Sequence, residues 1–254
     1  MWKRLLTMRH QRFYRKIYLT NTRNVRKKNM ETYINKIEVL DKGYVQLIEH
    51  MGSDLSVVNA ARCSFDKVKE EFDEKDTKLI KYLAREKHML PFRHPQISLR
   101  IHVPIFVLRQ LGKHQVGFSW SEVSRRYIST EPEFYVPYVW RLKPDKGIKQ
   151  GSGDNAEATM SKLMSQDSIA LTKEALRVYN TRLKLGIAPE MARIDLPQSM
   201  YTTVYVTGSL LGWAHMYRER TSQTTQLESK EYAVAIGTIM EELYPVLWEA
   251  LNGH

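Results

Sequence analysis

Cysteine is nearly absent: one residue, Cys63, in a chain of 254. An intrachain disulfide and a cysteine-rich metal site are thereby excluded, and a reducing compartment such as the cytoplasm is expected. Cys63 sits between Arg62 and Ser64 at what reads as a helix end. There it is expected to be a small buried hydrophobe rather than a nucleophile. Long apolar runs are also missing; none approaches the roughly 20 residues of a membrane span, so no membrane partner is expected. Acidic residues are absent from residues 1–29, which hold ten Lys or Arg. This arm accounts for +10 of the formal net charge of +11, so the basic balance belongs to a tail and not to the rest of the chain. Such an arm suits contact with nucleic acid phosphates, or an organelle transit peptide, or an extension ahead of a domain beginning at Met30. The three readings stay open. The expected organisation is a disordered basic extension, 1–29, and one folded domain, 30–254.

Beyond the arm, apolar periodicity marks the elements. Residues 34–40 and 44–50 flank Asp41 and Gly43 as a hairpin. Asp54 is a good N-cap for a helix through Ala61, and 74–88 carries Leu79, Ile80, Leu83 and Ala84 at helical spacing. In 96–103, Ile97, Leu99, Ile101 and Val103 alternate with Gln96, Ser98, Arg100 and His102, predicting a half-buried strand. Pro104 suits the first turn of a helix over 105–114. A Gly- and Lys-rich loop at 143–155 precedes a long helix over 156–185, which Gly186 stops. A short helix opened by Pro189, a strand over 199–206 and two C-terminal helices complete an α+β chain with no internal repeat.

Residues 109–127, RQLGKHQVGFSWSEVSRRY, gather Arg109, Lys113, Arg125, Arg126, His114, Glu122 and several hydroxyls and amides. On a helix, Arg109 and Lys113 share a face at i, i+4, Gln110 and His114 lie beside them, and Glu122 and Arg126 repeat the spacing. A solvated charged face is the commoner meaning of such a run. The content of Gln, His and Ser, with little Lys and Glu, favours a phosphate-binding site instead. His94 and His102 carry no assigned role, and no His, Asp and Glu cluster has metal-ligand spacing.

The same run resembles the signature of the flavin-dependent thymidylate synthases: an Arg-His-Arg triplet, a spacer, a serine, then Arg-Tyr. Here the triplet reads Lys113-His114-Gln115, and the spacer to Ser124 is one residue longer. Residues 52–65 (GSDLSVVNAARCSF), 88–94 (HMLPFRH), 192–197 (ARIDLP) and 206–220 (VTGSLLGWAHMYRER) resemble further segments of the family, in order. The resemblance implies a helix-flanked antiparallel sheet and a homotetramer with sites built from more than one subunit. It also implies reductive methylation of dUMP to dTMP, with 5,10-methylenetetrahydrofolate as carbon donor and FAD reduced by NADPH. It places Gln110, Glu122, Ser124, Arg125, Arg126, Arg193 and Arg220 at nucleotide positions, Arg220 as the first catalytic choice and Ser124 in binding and orientation. For FAD it points to Ser64, His88, Arg93, Lys113, His114, Gln115, Ser209, His215 and Thr224. Gln115 and Leu211 stand where the family has arginine, Ser209 and His215 where it has asparagine, and Thr224 where it has histidine. Losing two cations is expected to weaken flavin affinity unless Lys113, Arg93 or the loop 117–121 compensates. No Pro-Cys nucleophile of the conventional thymidylate synthases is present.

Overall fold

The computed structural model describes residues 35–146 and 150–253. The expected extension 1–29 lies outside the described residues. Every element below belongs to the unit Lys36–His254.

Five strands form one antiparallel sheet, β1 (Lys36–Val39), β2 (Gly43–Met51), β3 (Gln96–Pro104), β4 (Phe118–Glu122) and β5 (Tyr201–Ser209), in the order β1-β2-β3-β5-β4. The expected hairpin is β1–β2, its turn taken by Leu40 at φ 59°. Gly43 is required next to that turn, because a Cβ there would lie 2.7 Å from the Val39 carbonyl and 2.9 Å from that of His102. β3 and β5 run together without a break in register, from Gln96 opposite Ser209 to Pro104 opposite Tyr201. Ile97, Leu99, Ile101 and Val103 are completely buried, while Arg100 on the other face is exposed. The alternation predicted for this strand is therefore its division between core and polar face.

Helices α1 (Asp54–Arg62), α2 (Glu74–Arg85), α3 (Ile105–Leu111), α4 (Ala158–Lys184), α5 (Pro189–Ala192), α6 (Leu210–Thr221), α7 (Leu227–Leu243) and α8 (Pro245–Asn252) flank the sheet. Trp213 of α6 is fully buried and donates from Nε1 to the Ile97 carbonyl at 3.3 Å. Burying an indole removes roughly 200 Å² from water, about 5 kcal/mol before entropy is subtracted. Met216, Ile236, Ile239, Met240 and Leu247 complete this layer.

Several expectations are corrected. The N-cap of α1 is Ser53, which forms a capping box with Ser56. Asp54 instead accepts from the backbone N–H of Leu247 at 3.1 Å and of Val246 at 3.4 Å, in the first turn of α8. Helix α3 stops at Leu111, where Gly112 donates back to the Leu108 carbonyl, so Arg109 and Lys113 do not share a helical face. Residues 118–122 are a strand, so the spacing of Glu122 and Arg126 has no helical meaning. Pro245 begins a third C-terminal helix where two were expected. Cys63 is exposed, in a 3-10 turn just past α1, not buried. No helix among the described residues is long and apolar enough to cross a membrane.

Candidate active site

Three cavities collect most of the residues singled out in the sequence. The first, of about 540 Å³, is lined by Gln110 of α3, Arg220 of α6 and Thr224 of the α6–α7 turn, together with Arg141, Glu219 and Gln226. Helix α6 brings Arg220 here because its buried face, Leu210, Trp213, Ala214 and Met216, fixes the rotation of the helix on the core. Gln110 Nε2 donates to Gln226 Oε1 at 2.6 Å, tying α3 to the start of α7. Arg220 donates from Nε to His114 Nε2 at 3.1 Å. That contact requires a neutral imidazole, and His114 is held down to about 4 by burial, reinforced by the positive charge of Arg220 and by His215, with Glu219 opposing.

Arg141 enters the same cavity from the segment before the 143–155 loop. Its Nη2 meets both Glu228 oxygens at 2.8 Å, and its Nε donates to Ser152 Oγ at 2.8 Å. Glu228 is buried. Burial, the largest single influence, pushes its carboxyl up, but the Arg141 hydrogen bond and charge, a backbone N–H and Gln226 together outweigh it and leave the group below its ordinary value.

The second cavity, of about 630 Å³, contains Glu122, Arg125 and Arg193, with His102, Glu133 and Tyr201. Glu122 Oε1 accepts from Thr202 at 2.9 Å across the β4–β5 pair. His102 is stacked between Tyr44 and Tyr201, with centroids 5.5 and 4.8 Å away, and its Nδ1 meets Thr203 Oγ1 at 2.9 Å. Burial lowers its pKa, against Glu133, so its packing supports a structural role.

The third cavity, of about 670 Å³, joins Arg93, Ser209, Leu211 and His215 with Arg218 and the strand entry at Gly117 and Phe118. Ser209 caps α6, accepting from the Gly212 N–H at 3.2 Å. Gly117 has φ +80° and a Cβ there would approach Ser209 Oγ to 2.9 Å, so the chain passes close to the helix start only as glycine. Two guanidinium groups, a hydroxyl and a helix N-terminus suit a phosphate-bearing cofactor. The donor set thus fits the phosphate-bearing flavin that the resemblance leads one to expect, although Arg218 Nη1 already donates to the Leu251 carbonyl at 2.7 Å.

The remaining candidates lie outside these cavities. Ser124 Oγ accepts from the Arg126 backbone N–H and Nε, both at 3.3 Å, and exposed Arg126 stacks over Tyr127 at 5.0 Å. Lys113 is exposed, and exposed Gln115 turns its amide back to the Gly112 carbonyl. Ser64 is exposed and bonds the Ala61 carbonyl at 3.4 Å; exposed His88 stands edge-on to Tyr82 at 6.1 Å. Sequence reasoning missed Arg141, Arg218, Gln226 and Glu228. Arg218 lies inside the segment 206–220; the other three carry no local signal, because an isolated Arg in a loop, or a Gln or Glu at a helix start, looks like solvated surface.

The family described as "Thymidylate synthase complementing protein" matches residues 46–246. A flavin-dependent thymidylate synthase of Kosmotoga olearia is 38% identical over 219 residues, covering 85% of this chain and 92% of its own. One from Thermus thermophilus is 35% identical over 222 residues, covering 86% of this chain and 78% of its own. Among solved structures, a UMP/dUMP methylase, PolB from Streptomyces cacaoi bound with 5-Br dUMP, superposes with a TM-score of 0.76 at 30% identity, covering 85% of this chain and 97% of that one. With this coverage and identity, the chain belongs to the flavin-dependent thymidylate synthases.

Proposed function

We propose that the protein converts dUMP to dTMP, taking the carbon from 5,10-methylenetetrahydrofolate, with FAD as its flavin and NADPH as the reductant. The observation that carries this reading is the placement of Arg220 beside Gln110 in a polar cavity, its guanidinium held by a neutral imidazole. A dUMP analogue bound to the Streptomyces cacaoi methylase supports the choice of acceptor. A flavin held in the third cavity would supply the hydride that completes the methyl group. The chain itself has to bind, orient and polarise. Arg220 faces the pyrimidine and favours its polarised form, with Gln110 alongside. Glu122, Arg125 and Arg193, with Ser124 and Arg126 nearby, hold the sugar and phosphate, where the planar fork of Arg is suited to paired phosphate oxygens. Arg93, Ser209 and His215 hold the flavin, with Ser64, His88, Lys113, His114, Gln115 and Thr224 as its further contacts. As the family resemblance implies, a complete site is assembled from more than one subunit of a homotetramer; within one chain Arg220 and Arg193 line different cavities.

The test is product analysis of purified protein given excess FAD, NADPH, methylenetetrahydrofolate and dUMP. dTMP is expected. Arg220→Ala at saturating FAD and nucleotide should lower kcat on the order of a hundredfold, the usual effect of losing one donor to developing charge. Absence of dTMP from the unmodified enzyme would reject the reading, and unchanged turnover in Arg220→Ala would reject the role of that residue.

A further inference from the structure

His114 lines none of the three cavities but touches a residue of the first and a residue of the third. His114 follows α3 by three residues, and the turn that carries it is fixed at two points: its N–H donates to the Leu111 carbonyl at 3.1 Å, and its carbonyl accepts from Trp120 Nε1 at 3.2 Å. One edge of the ring receives Arg220 Nε. The ring also stands edge-on to His215, with centroids 5.6 Å apart and planes at 75°. His215 lines the flavin-fitting cavity and Arg220 the nucleotide cavity.

We propose that His114, beyond its contact with the flavin, positions Arg220: it holds Arg220 through Nε2, so that the Nη atoms of the guanidinium are presented to the nucleotide in one orientation. This rests on the functional reading above. The physical reason is preorganisation: Arg has many rotamers, and fixing its Nε before substrate arrives removes an ordering cost from the reaction. The acceptor must be a lone pair, which makes the Nδ1–H tautomer the competent one. An imidazolium in this place would repel Arg220, and its formation is suppressed at neutral pH by the same burial and neighbouring positive charge. Lys113, next in sequence, is exposed and cannot substitute as an acceptor.

The test uses holoenzyme variants His114→Ala, His114→Gln and His114→Lys, with flavin content read from absorbance and folding from the melting temperature. Glutamine places an amide oxygen near the former Nε2; lysine offers no acceptor and adds a like charge. At matched flavin occupancy, His114→Ala is expected to lower kcat by roughly tenfold or more with a smaller effect on the KM for dUMP, as expected for a group acting through a transition-state contact. His114→Gln should recover most of the loss and His114→Lys none. The double variant His114→Ala/Arg220→Ala should be no slower than Arg220→Ala alone, since residues acting as a unit are not additive. Multiplicative losses in the double variant, or full turnover in His114→Ala or His114→Lys, would overturn the proposal. The same cycle run on dUMP affinity does not depend on turnover. If the unmodified enzyme makes no dTMP, non-additive losses of dUMP binding still support the His114–Arg220 coupling and additive losses reject it.

Discussion

Arg141 meets both oxygens of a carboxylate that is almost wholly out of water, Glu228, and itself lines the cavity containing Arg220. Removing one member of such a pair leaves a buried charge without its counter-ion, which typically costs about 3 kcal/mol or more. Glu228→Ala is therefore expected to lower the melting temperature markedly, and Glu228→Gln, which keeps a hydrogen-bond acceptor, to do so less; equal stability of all three proteins would contradict the assignment. The pH dependence has a definite sign. The folded carboxyl titrates below its ordinary value of 4.5, so the stabilisation is complete above that value and is lost as pH falls through the folded value. Melting temperatures measured from neutral pH down to acid should fall more steeply for the unmodified chain than for Glu228→Gln. How much of the site was legible in the sequence follows from such residues. Gln110, Arg220 and Thr224 were singled out from distant segments and line one cavity. Arg141 was not, because its meaning depends on Glu228, 87 residues away, being brought to it by the fold.

Strand β4 links residue chemistry to the sheet edge. Phe118 packs edge-on against Trp213, with centroids 4.7 Å apart, over the bare backbone of Gly208 on the paired strand. A Cβ on Gly208 would lie 2.4 Å from that ring. Gly208→Ala should therefore displace Phe118, cost about 1–3 kcal/mol as overpacking does, and lower the melting temperature by several degrees. Adding Phe118→Ala should return part of the loss. A single variant as stable as the parent would show that the ring yields without cost. The sequence made β3 legible because four apolar residues alternate without interruption. It hid β4 because the surrounding charges and amides were weighed at helical spacing, although Phe118 and Trp120 alternate with Ser119 and Ser121 after Gly117. The cap of α1 was misread for a related reason: Ser53 and Asp54 are both good caps, and only the arrival of α8 decides that Asp54 serves the distant helix.

At the scale of the whole molecule, the cavity of Arg220 and that of Glu122, Arg125 and Arg193 share no lining residue. Helix α4 meanwhile exposes Met160, Leu163, Ile169 and Leu171 at 41–65% of their surface, apolar area suited to a subunit contact. Co-assembling Arg220→Ala with Arg193→Ala subunits should restore part of the activity that each variant lacks alone, because some sites in the mixture draw both arginines from unmodified positions. A mixture as inactive as its components, or a fully active monomer in sedimentation, would reject a shared site. The exposure of Cys63 makes that question accessible without further engineering. A chain with one thiol, and that one at the surface, accepts one maleimide dye while folded, so dye stoichiometry counts chains. Batches labelled with donor and acceptor dyes then report the exchange of subunits as energy transfer. Because the label stands one residue from Ser64, bound isoalloxazine near that segment would register as quenching of the same fluorophore.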